Sequence, residues 1–494
     1  MRAPKHRRGR RAPLLLSIAL FFSALFATTL PAADPPSRLE LGRRVQDLER
    51  TWLANPDAAA RARAVGKVAG SIQKWFRADF LGVARGLVEA EALLRSPDGV
   101  SALDYWTGHL TLRPVDRVLA PTEELAGQFI ANTLDDAWVT APAEAELRWT
   151  IGERVVVTPL TGDAPHMFQL PLPAEARGDL SLTAEVWVEG KHRRTLEERI
   201  SIVERFEERR QAIANALKKI PSSPEKTAIR GLEARLRATA VGAPLESPIA
   251  VAEELERAER WLQLLQSDEN DRRAWGVGAP GSRWMRLATG RSSTPCRIQV
   301  PEMKEGETRP LVVAVHGMGG SENLFFEAHG LGLGPKLAAE RGWIFAAPGG
   351  LGAIGVGAEV GAIVTALEEW LPVDPEQIFL IGHSLGAVRI VRATGAEPTR
   401  FRAIAPLSGG GAVPGDVDLA GLPAFLAAGD QDFGRGMTMS LESTLRQAGA
   451  TVTSKIYAPS EHMLMVADSL PDVFRFFDEA VKTSAKPSQP GREL

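Results

Sequence analysis

The chain has 494 residues, a length that allows about two to four domains and a large hydrophobic core. Its 58 basic and 61 acidic side chains give a formal net charge of −3, so no positive field indicates nucleic acid as a partner. Hydrophobic residues at 44% and charged residues at 24% are ordinary globular values, which excludes a disordered chain and a chain of many membrane spans. The single cysteine, Cys296, excludes an intrachain disulfide and cysteine-based zinc or iron–sulfur sites.

The first 33 residues have the pattern of a signal peptide. Residues 2–11 carry six basic side chains and no acidic one, residues 14–30 are mostly apolar, and Ala33 ends a short stretch of small residues that suits a signal peptidase. We therefore expect export, to the periplasm or the medium. Two alternatives stay open: an uncleaved segment that anchors the chain, because 17 positions are near the short limit for a membrane span, and a twin-arginine signal at Arg10 and Arg11.

Residues 34–98 are predicted to form a helical segment. Apolar side chains, among them Val65 and Val68, recur at steps of three and four residues, as an amphipathic helix requires. After a turn, short alternating stretches follow between Pro and Gly turns, and the first of these predicted strands begins at His109. This pattern favours a β-sandwich-like domain over residues 99–203.

The helical period returns over residues 204–272, where Pro221 and Pro224 separate one helix from the next. We expect a helical hairpin or small bundle there, with its charged faces turned to solvent. At the end of the chain, residues 483–494 have the composition of a disordered tail.

The composition changes again after residue 275, where short apolar runs bounded by Gly or Pro alternate with helical stretches. Such runs are typical of strands that are buried on both faces of a parallel sheet. The runs are residues 311–315, 343–347, 377–381, 403–407, 424–428 and 453–457. The predicted fold class is therefore α/β, with a doubly wound domain over residues 275–482 that follows the β-sandwich-like region and the helical segments.

Residues 382–386 read Gly-His-Ser-Leu-Gly and match the pattern G-x-S-x-G. They directly follow a predicted strand and precede a helical stretch, which is the context of a nucleophile elbow. In such an elbow Ser384 takes a strained backbone conformation, and Gly382 and Gly386 leave room where larger side chains would collide. The interpretation of Ser384 as an ordinary loop serine is the alternative.

With Val-His-Gly at residues 315–317 and Val-Asp-Pro at residues 373–375, the elbow region resembles the α/β-hydrolase superfamily. Within it, these sequences resemble esterases of the polyhydroxybutyrate depolymerase, feruloyl esterase and phospholipase/carboxylesterase type. The resemblance covers residues 284–481, about two-fifths of the chain. It implies a catalytic order of Ser, then Asp or Glu, then His along the chain.

That order points to particular residues after Ser384. The only histidine beyond it is His462, in a loop between an apolar run and a helical stretch. Four aspartates lie between the two: Asp416, Asp418, Asp430 and Asp432. The family's acid commonly stands three residues after the glycine that ends the preceding strand, which favours Asp432 and leaves Asp430 as the alternative.

The resemblance implies a serine esterase, and the N-terminal pattern implies that it is exported. The sequence has no motif for a metal or a nucleotide cofactor, so none is expected. Ser384 would attack the ester, His462 would act as the base, and Asp432 would hold the imidazole. The backbone N–H groups of Leu385 and Met318 would stabilise the oxyanion. A serine peptidase of the prolyl-oligopeptidase type, or a non-catalytic surface-binding protein with a relic hydrolase domain, are the alternatives.

Two further features bear on the surroundings of this site. Residues 350–355 fit G-x-G-x-x-G, but the ribose-binding acid of a dinucleotide site is missing beyond the next strand, so we interpret them as a loop beside the site. The gaps between predicted elements from residue 311 to 481 are too short for an inserted lid. We therefore expect an open cleft that admits bulky or polymer-linked esters. His316 and His383 are expected to be structural.

Overall fold

Three helices occupy the first part of the chain that the structure describes. The structure is a computed structural model, and the residues that it describes belong to one compact unit. It describes residues 35–122, 125–151, 154–243, 246–267, 275–290, 292–350 and 359–482. The helices are α1 (Arg38–Ala54), α2 (Ala58–Phe76) and α3 (Phe80–Arg95). Each begins where a side chain, of Ser37, Asp57 or Asp79, accepts hydrogen bonds from N–H groups of the first turn.

The next region holds two sheets. One is a three-stranded antiparallel sheet of order β1-β3-β6, and the other has five strands of order β2-β8-β7-β4-β5. The strands are β1 (Leu110–Pro114), β2 (Val118–Leu119), β3 (Ala126–Thr133), β4 (Ala145–Ile151), β5 (Arg154–Leu160), β6 (His166–Pro171), β7 (Gly178–Val188) and β8 (Lys191–Ile202). Side chains of both sheets belong to one hydrophobic cluster. At its centre the rings of Phe129 and Trp149, one from each sheet, lie 5.1 Å apart.

The predicted strand beginning at His109 is wrong at its start. His109 is the last residue of a further helix, α4 (Ala102–His109), and the strand begins at the next residue. Ser101 and Asp104 form a capping box, in which each side chain bonds the other's backbone N–H. This local pair starts a helix in a region whose alternating pattern favours strands.

Three helices follow the second sheet: α5 (Phe206–Lys219), α6 (Pro224–Ala240) and α7 (Val251–Gln266). Pro224 stands in the first turn of α6, where its missing N–H costs no hydrogen bond. Leu232 of α6 and Leu255 of α7 are fully buried. Both belong to the same hydrophobic cluster as residues of the large sheet described next, so these helices pack on that sheet.

The remaining strands form one eight-stranded sheet of order β16-β15-β14-β13-β11-β12-β10-β9. They are β9 (Gly281–Thr289), β10 (Ser292–Val300), β11 (Arg309–Val315), β12 (Ile344–Pro348), β13 (Val373–His383), β14 (Ala403–Leu407), β15 (Pro423–Gly429) and β16 (Thr451–Tyr457). Six strands are parallel, as predicted, but β9 and β10 form an antiparallel hairpin that joins β12 at the edge. The sheet is therefore mixed, and the fold is α/β.

Helices cover both faces of this sheet. Val313 of β11 and Leu380 of β13 belong to one hydrophobic cluster, while their neighbours Val312 and Phe379 belong to another. Because successive strand residues point to opposite faces, the sheet is buried on both sides, as the continuous apolar runs predicted. The helices are α8 (Leu324–Glu327), α9 (His329–Glu340), α10 (Val360–Trp370), α11 (Leu385–Ala396), α12 (Arg435–Gln447) and α13 (Leu464–Lys482).

The first three helices pack directly against the part of the chain that forms the large sheet. Leu464 of α13 belongs to the hydrophobic cluster of α1, α2 and α3. Trp52 Nε1 donates to Asp468 Oδ1 over 3.2 Å. Glu49 Oε2 accepts from the N–H groups of Gly330 and Leu331 at 3.0 and 3.1 Å. Apolar contacts and buried hydrogen bonds thus fix the helices to α9 and α13.

Several sequence predictions fall on residues outside the described ranges. These are the signal peptide, the tail from residue 483, and residues 351–355 of the glycine-rich stretch. In the described part of the chain, every helix is too short or too polar to cross a membrane.

We expect the buried face of α1 to make a large contribution to stability. Trp52 is 0% exposed, while the next residue, Leu53, is 43% exposed. Trp52→Ala removes a buried aromatic and should lower the free energy of unfolding by about 3–5 kcal/mol, whereas Leu53→Ala should change it by less than about 1 kcal/mol. Urea denaturation followed by circular dichroism measures both. Equal losses in the two variants would contradict the packing described here.

Candidate active site

Ser384 lies on a sharp turn between a strand and a helix. β13 ends at His383 and α11 begins at Leu385, so the serine is the single residue between them. Its φ of 55° and ψ of −115° form a conformation that residues with a side chain rarely adopt. Its N–H donates to Leu407 O over 2.9 Å. The turn therefore presents Ser384 at the carboxyl end of β13, in the conformation predicted for a nucleophile elbow.

The glycines on either side make this turn sterically possible. A Cβ atom on Gly386 would lie 2.0 Å from Val315 O, and one on Gly382 would lie 2.5 Å from Gly386 O. Both distances are far shorter than van der Waals contact. Any larger residue would push α11 away from the end of β11, so the motif's glycines have the steric role that the sequence predicted.

His462 and Asp432 form a buried pair near the ends of two other strands. Asp432 follows β15, and His462 lies between β16 and α13. His462 Nδ1 is 2.8 Å from Asp432 Oδ1, and the same oxygen accepts from Gly434 N–H over 2.6 Å. Burial alone would raise the pKa of the Asp432 carboxyl. The hydrogen bonds to this carboxyl and its electrostatic interaction with His462 act in the opposite direction and hold its pKa below the ordinary value. The carboxylate therefore stays ionised beside the imidazole.

The other aspartates named from the sequence lie elsewhere. Asp430 Oδ1 accepts from Ser460 N–H over 2.8 Å, so this side chain braces the loop that carries His462. Asp416 and Asp418 are exposed on the segment before β15. Of the four candidates, Asp432 is the one in contact with the imidazole.

Glu461 is a buried carboxylate that sequence reasoning missed. It is 0% exposed and accepts from the N–H groups of Met463 and Leu464 at 2.9 and 2.7 Å. Burial raises its pKa to about 7. These bonds anchor the start of α13, directly beside His462. The signal in the sequence was an acidic residue just before the first turn of a helix, where its oxygens reach free N–H groups.

Two buried histidines, His383 and His329, lie on the side of His462 that faces the protein interior. His383 Nε2 is 2.9 Å from His462 O, and the two rings lie 4.7 Å apart. The ring of His329 lies 5.2 Å from that of His383. Burial holds the pKa of His383 well below its ordinary value and lowers the pKa of His329 to about 3. His316 Nδ1 lies 2.7 Å from Gly317 O, inside the loop after β11. His383 and His329 are therefore neutral near pH 7 and add no positive charge next to His462.

The loop after β11 runs beside Ser384. A Cβ atom on Gly317 would lie 3.0 Å from Ser384 Cβ, so the loop backbone touches the serine. Met318 follows, with its side chain 62% exposed. Leu385 is the first residue of α11, where N–H groups have no acceptor within the helix. Of the two residues predicted to supply oxyanion donors, Leu385 adjoins Ser384 directly, and Met318 follows the glycine that touches the serine.

A cavity of about 220 Å³ reaches both Ser384 and His462. The loop after β11 forms one side of it. The other side consists of apolar side chains of α1, α2 and α3: Leu41, Val45, Leu48, Val68, Ile72, Trp75, Phe76, Val83 and Leu87. We call these three helices the roof.

The open cleft expected from the sequence is therefore wrong. The roof lies over the site, with Trp75 Nε1 so close to the loop that a Cβ atom on Gly319 would be 2.8 Å from it. Arg38 of α1 also donates to Gly319 O, across 281 positions of the chain. Short gaps between residues 311 and 481 could not reveal this cover, because the roof precedes the large sheet in the chain and is not inserted between its strands.

Within the described residues, no group of three or more His, Cys, Asp and Glu side chains is arranged to hold a metal ion. Several polar atoms buried near Ser384, among them both ring nitrogens of His329 and the Nδ1 atom of His383, have no hydrogen-bond partner in the described part of the chain. The chemistry that this arrangement offers is that of a serine hydroxyl, an imidazole and a carboxylate.

Glu461 should make the stability of the protein depend on pH. Its carboxyl has a pKa of about 7 when folded, against 4.5 ordinarily. Between pH 4.5 and 7 the Glu461 carboxyl keeps its proton in the folded protein, whereas in the unfolded chain it has released it. The contribution of this group to stability is therefore fully present below pH 4.5 and is lost as the pH rises through 7. In Glu461→Gln this loss disappears, and the fall in unfolding free energy between pH 5 and 8 should be smaller than in the wild type by up to about 3 kcal/mol.

Urea denaturation at several pH values tests this, with Glu479→Gln as the control, because Glu479 is an exposed carboxylate on the same helix, α13. Identical pH profiles for Glu461→Gln and the wild type would exclude the buried carboxyl as the source of the dependence.

Comparisons with known proteins identify resemblance in one part of the chain. No family model matches the sequence, and no curated protein matches it. Solved structures similar to it include an S-formylglutathione hydrolase from Agrobacterium tumefaciens (14% identity, 40% of this chain and 94% of that chain, TM-score 0.34). Est1E from Butyrivibrio proteoclasticus (16%, 40% and 98%, 0.32) and an esterase from Pyrobaculum calidifontis (14%, 42% and 88%, 0.34) are also similar. These solved structures are α/β-hydrolase serine esterases, and each match covers about two-fifths of this chain.

Proposed function

We propose that the protein is a serine hydrolase that cleaves carboxylic esters through an acyl-enzyme intermediate. The observation that carries the proposal is the buried hydrogen bond between His462 Nδ1 and Asp432, beside a serine in the elbow conformation that lines the same cavity. An ionised aspartate on one ring nitrogen leaves the other nitrogen of a neutral imidazole free to accept a proton.

In this mechanism Ser384 Oγ attacks the ester carbonyl carbon while His462 Nε2 takes the hydroxyl proton. The tetrahedral intermediate then collapses, and the imidazolium gives that proton to the leaving alcohol. A water molecule repeats both steps on the acyl-enzyme and releases the carboxylic acid. Asp432 keeps the imidazole in the tautomer with the proton on Nδ1 and stabilises the imidazolium.

The developing oxyanion requires donors that are in place before the reaction. We assign this role to the backbone N–H groups of Leu385 and Met318, which belong to the helix start and the loop on either side of Ser384. This arrangement agrees with the general form of the nucleophile elbow, where one donor follows the serine and the other comes from the loop after the third strand of the sheet. β11 is the third strand of this sheet along the chain.

We also propose that the chain is exported, on the pattern of its first 33 residues. The division into a β-sandwich-like domain, a helical linker and a hydrolase domain is part of the same proposal. Neither point affects the chemistry at Ser384.

The nucleophile can be tested by labelling. A fluorophosphonate probe should modify the wild type and leave Ser384→Ala unlabelled, and hydrolysis of 4-nitrophenyl acetate should fall by about 10⁴-fold or more, because no other group replaces the attacking hydroxyl. Mass spectrometry of the labelled protein locates the modified residue. Labelling that persists in Ser384→Ala, or a fully active variant, would refute the proposal.

The two neighbouring aspartates provide a matched pair for testing the acid. Asp432→Asn should lower kcat by about 10⁴-fold, because the imidazole then takes the wrong tautomer. Asp430→Asn should cost less than about tenfold, because Asp430 bonds a backbone N–H and not the ring. If Asp430→Asn had the larger effect, the acid would be misassigned.

A further inference from the structure

We propose that the roof binds the aliphatic acyl chain of the ester, so that α1, α2 and α3 set the preference for acyl length. This inference rests on the proposed function. It departs from the expectation of bulky or polymer-linked substrates, because helices that precede the large sheet in the chain line the cavity over Ser384.

The character of the lining favours an apolar chain. Nine apolar side chains of the roof face the cavity, and the polar groups among them already have partners. Glu49 accepts from two backbone N–H groups of α9, and Ser71 Oγ donates to Lys67 O over 2.9 Å. A polar acyl group would lose its hydrogen bonds to water without replacement, whereas a hydrocarbon chain gains from burial.

The position of the cavity favours the acyl part over the alcohol. The cavity contains the loop of Gly317 and Met318, whose N–H groups are proposed to bind the carbonyl oxygen, and the acyl chain is attached to that carbonyl carbon. A second recess is lined by Asp432, Phe433 and His462 but not by Ser384, so it lies on the Asp432 side of the imidazole and is not assigned to the ester.

The size of the cavity sets the expected chain length. An apolar cavity of about 150 Å³ already takes up benzene, and a volume of about 30 Å³, the share of a water molecule, is close to that of a methylene. The 220 Å³ found here therefore has room for roughly seven carbon atoms beyond the carbonyl. An octanoyl ester fits this estimate.

One residue of the roof allows a direct test. Gly42 lies within α1 and lines the cavity, and a Cβ atom added to it would meet nothing within 4 Å. A phenylalanine at this position would fill the cavity without a collision at its Cβ atom. Replacing a glycine inside a helix also favours the helical conformation of α1. Gly66 in α2 is the matched control, because it also has open space around it but is exposed and does not line the cavity.

The experiment measures kcat/KM of the full chain for 4-nitrophenyl esters from acetate to dodecanoate. In the wild type, kcat/KM should rise about fourfold per added methylene up to about octanoate and then fall. Gly42→Phe should lower the ratio of octanoate to acetate hydrolysis at least tenfold, and Gly66→Phe should leave that ratio within twofold of the wild type. If Gly42→Phe does not fold, Val45→Phe narrows the same cavity from the next turn of α1.

A second series, acetate esters of straight-chain alcohols, separates acyl from alcohol binding. The dependence of kcat/KM on alcohol length should be the same in Gly42→Phe and the wild type, because the cavity that Gly42 lines is proposed to bind the acyl part. Three outcomes would overturn this inference while leaving the esterase intact. The first is a kcat/KM that does not change with acyl length, and the second is an equal octanoate-to-acetate ratio in Gly42→Phe and Gly66→Phe. The third is a dependence on chain length that appears only in the alcohol series. Absence of both ester hydrolysis and fluorophosphonate labelling in the wild type would instead refute the proposed function.

Discussion

The backbone of Ser384 is the constraint on which the arrangement of the site depends. A positive φ at a residue with a side chain costs about 1–3 kcal/mol unless neighbouring structure holds it in place. Here the holding contacts come from several elements at once. A Cβ atom on Gly409, just beyond β14, would lie 2.4 Å from Ser384 O, and Gly386 leaves equally little room beside Val315. The strain is therefore offset by close packing between the ends of neighbouring parallel strands.

Two buried carboxylates organise what surrounds this turn. Glu461 anchors the start of α13 beside His462, and Glu49 holds the roof to the backbone of α9. Burial raises the pKa of both groups to about 7. Each accepts two backbone hydrogen bonds, so the free energy lost on removing a carboxylate from water is partly recovered by N–H groups that would otherwise lack an acceptor. The position of His462 and the position of the roof thus depend on the same kind of interaction.

The parts of the fold that follow from local pattern could be predicted from the sequence. The six parallel strands are short apolar runs, so the sequence predicts them. The turn at Ser384 needs a glycine on either side, so the sequence predicts it as well. Asp432 could be preferred to Asp430 only through family resemblance, because spacing along a loop does not say which carboxylate faces His462. Glu461 and Glu49 were missed because their effect comes from burial.

A different reason explains why the sequence did not predict the roof. The periodicity of residues 34–98 indicates amphipathic helices, but an apolar face does not state what it packs against. The β9–β10 hairpin was missed because residues that alternate in burial along an edge pair give a weaker pattern than continuous apolar runs. Both omissions concern contacts between segments far apart in the chain.

That distance has a consequence for how the protein folds. Glu49 meets its partners 281 positions further along the chain, so the helices leave the ribosome well before the surface they cover has been made. Until then the apolar face of α1, α2 and α3 has no permanent cover, and contacts of such large sequence separation form slowly. Assembly of the cavity therefore waits for the last part of the chain, and residues 275–482 expressed alone would expose to water the apolar surface around Ser384 that the roof covers.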